Sequence, residues 1–308
     1  MPMDETHKLR IYLHRQLLEQ ARKGNHRFLR LVDEAVSSRG WEVSYHRDTS
    51  EERLKSSGRR GKSLFHMDDP YHEDSLTFRL AYYMPFWQIE SSAKRWEWDV
   101  AQAAFDPKEI DKAEARQFYR FWSGRLFGEE AIASASKEGF VYLPLQGRLL
   151  DHRSFQVTSP AEMILATLEQ EPELPVVLTF HPKEKYTDDE MTAIHEICEA
   201  YPRVIIGELD WLNYLAECDY VVTQNSSAAI AAMFFQKPSV LFGRVDFHHI
   251  CGNVWEDGVE KAFRKAQNNK PNFKAYLKWF FQDHTINAGK VDVHDRILNR
   301  LRHHGWDI

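Results

Sequence analysis

The second half of the chain alternates short, continuous apolar runs with helical patterns. Runs rich in Val, Ile and Leu without polar alternation predict strands that are covered by helices on both faces. The predicted strands are residues 140–145, 175–180, 203–207, 219–224 and 239–243. The predicted helices between them are residues 160–169, 187–201, 210–217 and 227–236. This alternation, with short connections, predicts a doubly wound parallel sheet.

The first half shows a weaker form of the same pattern. Strands are predicted at residues 8–13, 41–46 and 63–67, with a helix at 16–38 between the first two. Residues 50–62 are charged and lack an apolar period, so we expect a surface loop. Two further regions have a less regular pattern: an aromatic-rich stretch at 76–98, which we expect to be core, and a helix at 106–127.

The overall prediction is an α/β protein with two Rossmann-like domains. A polar, small-residue segment at 128–139 marks the predicted boundary. We therefore assign residues 1–130 to an N-terminal domain and residues 131–285 to a C-terminal domain. A terminal helix within 286–308 is expected to pack back on the first domain.

Composition narrows the range of partners. The net charge of −6 disfavours nucleic acid as the main partner. The three cysteines have no Cys-x-x-Cys spacing, so we expect a reducing compartment and no structural zinc site. No G-x-G-x-x-G or P-loop motif occurs, which disfavours dinucleotide binding, and we expect no cofactor and no metal site. Residues 1–7 are polar and unlike a signal peptide, so we expect a cytoplasmic protein. Residues 274–280 could touch a membrane surface, although a packed helix is the better default.

Candidate chemistry lies where the predicted strands end. Ligands of open parallel sheets bind beyond the carboxyl ends of the strands. Four such ends carry polar residues: Gln146 and Asp151, His181 and Lys183, Asn225, Ser226 and Ser227, and Arg244.

The third of these ends has the clearest physical logic. Its strand runs through Asn225 and two serines into a helix whose first turn is small. Unpaired amides at a helix N-terminus favour an anion such as phosphate. For the segment alone, the favoured alternative is that Asn225 or Ser226 merely caps the helix. Similarly, His181 before Pro182 could only shape a turn.

The order of the four segments resembles the capsular polysaccharide synthesis family, which includes bacterial Kdo transferases. The resemblance is carried by VYLPLQ at 141–146 with Asp151, LTFHP at 178–182, YVVTQNSS at 220–227 and KPSVLFG at 237–243. It spans residues 140–250 and implies a GT-B arrangement, in which two Rossmann-like domains face a cleft. In that arrangement, residues 1–130 would form the acceptor side and residues 131–285 the nucleotide-sugar side.

The resemblance also implies a function and residue roles. It implies a metal-independent glycosyltransferase of surface polysaccharide assembly at the inner face of the membrane. The donor would be CMP-Kdo or a related acidic sugar nucleotide, and the acceptor a glycan or glycolipid. Gln146 and Asp151 would lie near the anomeric carbon, where Asp151 could be base or nucleophile. The residues placed on the donor are His181, Lys183, Asn225, Ser226, Ser227 and Arg244.

One departure from the family pattern keeps alternatives open. Related proteins usually place a Glu in the helix after the serines, whereas this chain has Ala-Ile-Ala-Ala at 229–232. Loss of that Glu favours the alternative of a non-catalytic protein that binds a glycan or a partner of the same pathway. A third hypothesis is transfer of a polyol phosphate from a CDP carrier.

Overall fold

A computed structural model describes residues 5–308, so most of the polar N-terminal segment, residues 1–4, lies outside the described residues. The chain forms two units. Unit 1 contains the chain up to Gln102 together with Phe280–Ile308, and unit 2 is Ala103–Trp279. The units therefore divide before the predicted helix at 106–127 and not after it, at 130. No helix in the described part is long and apolar enough to cross a membrane.

The strands of the described chain are numbered in order. They are β1 Lys8–Leu13, β2 Glu42–Arg47, β3 Lys62–His66, β4 Ser75–Leu80, β5 Phe86–Glu90, β6 Val141–Pro144, β7 Val176–Thr179, β8 Val204–Ile206, β9 Tyr220–Thr223, β10 Ser239–Leu241, β11 Gly252–Asn253 and β12 Ile286–Asn287.

The α-helices follow the same convention. They are α1 Arg15–Arg22, α2 Arg27–Ser37, α3 Ser50–Ser56, α4 Asp99–Gln102, α5 Lys112–Phe127, α6 Glu129–Ala133, α7 Pro160–Gln170, α8 Asp188–Ala200, α9 Trp211–Glu217, α10 Ser227–Phe234, α11 Val254–Asp257, α12 Val259–Asn268, α13 Phe273–Lys278 and α14 Val293–His303.

Unit 1 holds a six-stranded sheet in the order β12-β5-β4-β3-β1-β2. The four strands β4, β3, β1 and β2 are parallel to one another. In contrast, β5 runs antiparallel to β4, and β12 runs antiparallel to β5. The core includes Ile11 from β1, Val32 from α2 and Ile297 from α14. The terminal helix α14 therefore belongs to the core of unit 1.

Three predictions for the first half are corrected by the structure. The segment predicted as a loop contains α3, which begins at the N-cap Thr49. The helix predicted at 16–38 is two helices, because Gly24 has a φ of 70° that ends the first. The aromatic-rich stretch is core as expected, but it forms β4 and β5, whose alternation is hidden because β5 is buried throughout.

Unit 2 holds a six-stranded, fully parallel sheet in the order β11-β10-β9-β6-β7-β8. Counted from β6, this is the 3-2-1-4-5-6 order of a doubly wound nucleotide-binding fold. Val141, Leu178 and Val222 are fully buried on central strands. The structure confirms the predicted parallel α/β architecture.

Helix α5 explains where the units divide. Tyr119 donates a hydrogen bond from its hydroxyl to the carbonyl of Phe234 at 2.7 Å. The ring of Phe127 packs against Phe234 and Phe235 with centroids 5.4 and 5.2 Å apart. These contacts bind α5 to α10, so the helix is part of unit 2.

The segment at 274–280, for which a packed helix was the default expectation, is largely buried. Lys278, Trp279 and Phe280 are all buried, in agreement with that expectation.

Candidate functional site

The four polar segments all lie at one edge of the unit 2 sheet. They follow β10, β9, β6 and β7, which are consecutive neighbours in the sheet. The direction of the chain order reverses between β6 and β9. Parallel sheets form a ligand crevice at such a reversal, beyond the carboxyl ends of the strands. The topology therefore brings the predicted residues to the place where a doubly wound fold binds ligands.

The end of β9 turns directly into α10. Ser226 is the N-cap of this helix, and its hydroxyl oxygen accepts a hydrogen bond from the Ala228 amide at 3.2 Å. Capping, the simpler alternative for Ser226, is therefore observed. The oxygen acts only as acceptor in this bond, so the hydroxyl hydrogen can still be donated to an anion. Ser227 is exposed at the first helical position, and Asn225 is half-buried.

The alanine-rich stretch of α10 is part of the core. Ala229, Ala231 and Ala232 are fully buried. Such positions pack too closely to hold a carboxylate without a partner. The alanines that stand where related proteins place a Glu are therefore part of the close packing of this helix.

The loop after β6 carries the two residues predicted at the sugar. Gln146 is half-buried, and its Oε1 has no hydrogen-bond partner among residues 5–308. Asp151 has a half-exposed side chain and accepts a hydrogen bond from Arg148 Nε at 2.5 Å. Arg148 adopts a positive φ of 65° to make this turn. The Gln146 side-chain oxygen therefore has no donor in the described residues, whereas the Asp151 carboxylate is paired with the exposed Arg148 guanidinium.

The loop after β7 is exposed and held by its own bonds. His181 Nδ1 accepts a hydrogen bond from the Lys183 amide at 3.2 Å, which matches the turn-shaping alternative. The His181 amide donates to the Tyr186 hydroxyl at 2.8 Å. The Glu184 carboxylate lies so close to Gly147 that a side chain there would collide with it. The loops after β6 and β7 are therefore in contact.

The end of β10 is joined to the loop after β6. The Arg244 amide donates to the Phe155 carbonyl at 2.8 Å. The Arg244 guanidinium lies 4.9 Å from the ring centroid of Trp255. At Gly243 a side chain would lie 3.1 Å from the Gln224 carbonyl oxygen, so glycine permits the close approach of these two segments. Arg244 is therefore held on the β10 side of the edge.

Several residues at this edge were not predicted as functional. They have buried side-chain atoms without a hydrogen-bond partner in the described chain. The atoms are Arg153 Nη2, Gln156 Nε2, Thr158 Oγ1 and Gln224 Oε1. Buried polar atoms are nearly always hydrogen-bonded, so such a group at one strand edge indicates a place for polar ligand atoms. Gln224 lies within the YVVTQNSS segment, but residues 152–158 carry no motif that would have identified them.

Carboxylates and a histidine also gather in unit 1. Ligand atoms of Glu90, Asp99 and His304 lie within 4.8 Å of one another. Arg300 pairs with Glu90 and with Asp99 at 2.6 Å each. The guanidinium already supplies the positive charge that a cation would bring, so this cluster is an ion-pair network that holds α14 in unit 1.

Comparison with known proteins adds the family. Residues 102–290 match the family described as capsule polysaccharide biosynthesis protein, which is more than half of the chain. The chain belongs to this family. No curated protein sequence matches the chain directly.

Solved structures support the fold. The β-Kdo 2,7 transferase of KpsC from Thermosulfurimonas dismutans is similar with a TM-score of 0.53 and 11% identity, over 96% of this chain and 99% of that one. The β-Kdo 2,4 transferase of the same KpsC gives a TM-score of 0.44 at 9% identity, over 89% and 90%. The UDP-GlcNAc 2-epimerase of Methanocaldococcus jannaschii gives 0.37 at 11%, over 96% and 99%. The similarity to the β-Kdo 2,7 transferase, together with the family match, shows a GT-B-like fold.

Proposed function

We propose that this chain is a glycosyltransferase that uses CMP-Kdo or a related acidic sugar nucleotide in capsule polysaccharide biosynthesis. Its acceptor is a glycan or glycolipid, and it works in the cytoplasm at the inner face of the membrane. The observation that carries the proposal is the position of the four motif segments on four neighbouring strands, around the β6/β9 reversal. Membership of the capsule family agrees with it.

The proposed chemistry begins with the leaving group. Departure of CMP leaves negative charge on its phosphate. The N-terminus of α10 presents amides and the hydroxyls of Ser226 and Ser227, while His181 and Lys183 lie on the loop after β7, two strands along the same sheet edge. Fixed donors of this kind stabilise the developing charge without reorganisation, so the proposed mechanism uses them in place of a metal ion.

The sugar is assigned to the loop after β6. Asp151 is exposed, and its partner Arg148 is also exposed, so a substrate can separate the pair at little cost. The freed carboxylate would act as base or as nucleophile at the anomeric carbon. Gln146 Oε1 would accept a hydrogen bond from a sugar hydroxyl.

The test is a thermal-shift series with CMP, CDP and UDP on the full chain. At about 100 times its dissociation constant, a ligand stabilises a protein by about 2.7 kcal/mol. We expect CMP to raise Tm by several degrees, and Ser227→Ala and His181→Ala to reduce this shift. His195→Ala, an exposed histidine on α8, is the matched control and should retain it. Absence of a shift with all three nucleotides would contradict the proposal.

The buried alanines of α10 favour a second candidate, a non-catalytic glycan- or partner-binding protein. Asp151→Asn separates the two functions in cells that make the polymer. Loss of polymer supports the transferase, and unchanged output supports the non-catalytic protein. The mass of the product would distinguish sugar transfer from transfer of a polyol phosphate.

A further inference from the structure

A cavity of about 560 Å³ lies beside the crevice of unit 2. The loop after β6 forms one side of it with Arg153 and Gln156, and the start of α11 forms another with Trp255. Trp255 is 46% exposed. Ligand sites of proteins typically combine aromatic walls with a few fixed polar groups, and this cavity has both.

The amide of Gln156 has a defined orientation. Its Oε1 accepts hydrogen bonds from the Arg153 amide at 2.8 Å and from Arg153 Nε at 3.3 Å. The other end is therefore the NH2 group, and this Nε2 has no acceptor in the described part of the chain. Gln156 is only 1% exposed. A buried donor left without an acceptor costs about 1–3 kcal/mol, so a bound acceptor would offset this penalty.

Arg153, which lines the same cavity, supplies a second donor from the same loop. Its guanidinium packs 4.8 Å from the ring centroid of Phe155. Its Nη2 is buried and lacks an acceptor among residues 5–308. Burial, together with the charge of Arg148, lowers the pKa of Arg153, while Glu184 and Asp151 partly oppose this. A half-buried cation in this position is stabilised most by an anion that enters the cavity.

We propose that Arg153 Nη2 and Gln156 Nε2 together form a receptor for an oxyanion, separate from the N-terminus of α10. The oxyanion is a carboxylate or a phosphate. Because the proposed function assigns the phosphate to α10, we assign this receptor to the carboxylate of the acidic sugar. Only that last assignment rests on the proposed function.

The isosteric variant Gln156→Glu is the sharpest test. It keeps the oxygen that accepts from Arg153 and replaces the NH2 donor with a second acceptor. We expect the ligand-free protein to keep its Tm, because the new carboxylate pairs with Arg153. We also expect at least a tenfold weaker interaction with the sugar acid. A merely structural role for Gln156 predicts no such separation of stability from binding.

The experiment measures saturation-transfer NMR on the full chain with free Kdo, Kdo methyl ester and CMP, and ³¹P line broadening with inorganic phosphate. Kdo should bind and its uncharged ester should not. Gln156→Glu and Arg153→Gln should lose Kdo but retain CMP, whereas Arg264→Gln, an exposed cation on α12, should bind both. Equal binding of Kdo and ester, or Kdo binding that survives in Gln156→Glu, overturns the receptor. Phosphate binding without Kdo binding overturns the carboxylate assignment. If the unmodified protein does not bind CMP, the proposed function is contradicted and the oxyanion receptor is not.

Discussion

The carboxyl edges of the two sheets differ in how their polar groups are satisfied. In unit 1 the chain order reverses between β1 and β3, as it does between β6 and β9 in unit 2. At the unit 1 edge, Arg53 donates to Asp48 at 2.5 and 2.7 Å and to Asp68 at 2.5 Å. At the unit 2 edge, Arg153 and Gln156 keep donors without acceptors in the described residues. Equivalent topology thus yields an internally paired edge in one unit and an edge open to a ligand in the other.

Two histidines at the unit 1 edge are also packed against each other. His14 follows β1 and His66 ends β3, with ring centroids 5.6 Å apart. Burial, followed by the charge of His14, lowers the pKa of His66 to about 4. His66 is therefore neutral at pH 7. The unit 1 edge uses its polar groups for its own stability, so the two edges should differ in their response to pH, substitution and ligand.

The largest expected effect is the loss of stability on acidification through His66. The unfolded chain binds a proton near pH 6.5, whereas the folded chain binds it only near pH 4. Unfolding free energy should therefore fall by up to about 3 kcal/mol as the pH is lowered from 7 to 4. Urea unfolding at pH 7 and pH 5 measures about two-thirds of this change. His66→Gln should make the pH dependence shallower, whereas an unchanged dependence would show that the His66 ring titrates as in the unfolded chain.

The second effect compares the two arginines. Arg53→Met leaves Asp48, whose side chain is 7% exposed, without its cation, so we expect a loss of about 2 kcal/mol. Arg153→Met removes a guanidinium whose Nη2 has no acceptor in the described structure, so we expect a loss below about 1 kcal/mol. Urea unfolding of both variants gives the comparison. Equal losses would mean that the unit 2 edge is paired as fully as the unit 1 edge.

The third effect separates the two serines of the α10 turn. Ser226→Ala removes the N-cap bond and should cost about 1 kcal/mol of unfolding free energy. Ser227→Ala is the matched control, because Ser227 is exposed and caps nothing, and it should change stability by less than about 0.5 kcal/mol. Thermal unfolding of both variants measures the difference. A larger loss for Ser227→Ala than for Ser226→Ala would show that Ser227, and not Ser226, caps α10.

The smallest effect concerns the exposed Arg148–Asp151 pair. Side chains that are 65% and 50% exposed gain little from pairing. Arg148→Gln should therefore change unfolding free energy by less than about 0.5 kcal/mol, as urea denaturation would show. A loss of more than about 1 kcal/mol would mean that the pair holds the loop in place and is not free to separate for a substrate.

The sequence predicted the unit 2 sheet well because its strands are continuous apolar runs. The predicted strands at 140–145 and 219–224 correspond to β6 and β9. Unit 1 was harder, since β5 is buried throughout and lacks alternation, and α3 is charged and short. The two-residue strands β11 and β12 form only because a neighbouring strand pairs with them, and local pattern contains no such information.

The residues of the candidate site were likewise predicted only in part from the sequence. Gln146, Asp151, His181 and the serines were predicted as site residues because they follow strands, and the structure places them at the ends of three adjacent strands. Arg153 and Gln156 could not be identified. Their environment depends on the pairing of Gln156 with Gly243, two residues far apart in the chain.

Hydrogen exchange with and without CMP is the most direct test of the central claim that the unit 2 edge is the ligand-binding edge. With CMP bound, we expect slower amide exchange at residues 181–186 and 224–229, with no change at residues 14–21 and 66–69 of unit 1. Protection confined to the unit 1 segments, or none at either edge under saturating CMP, would contradict it.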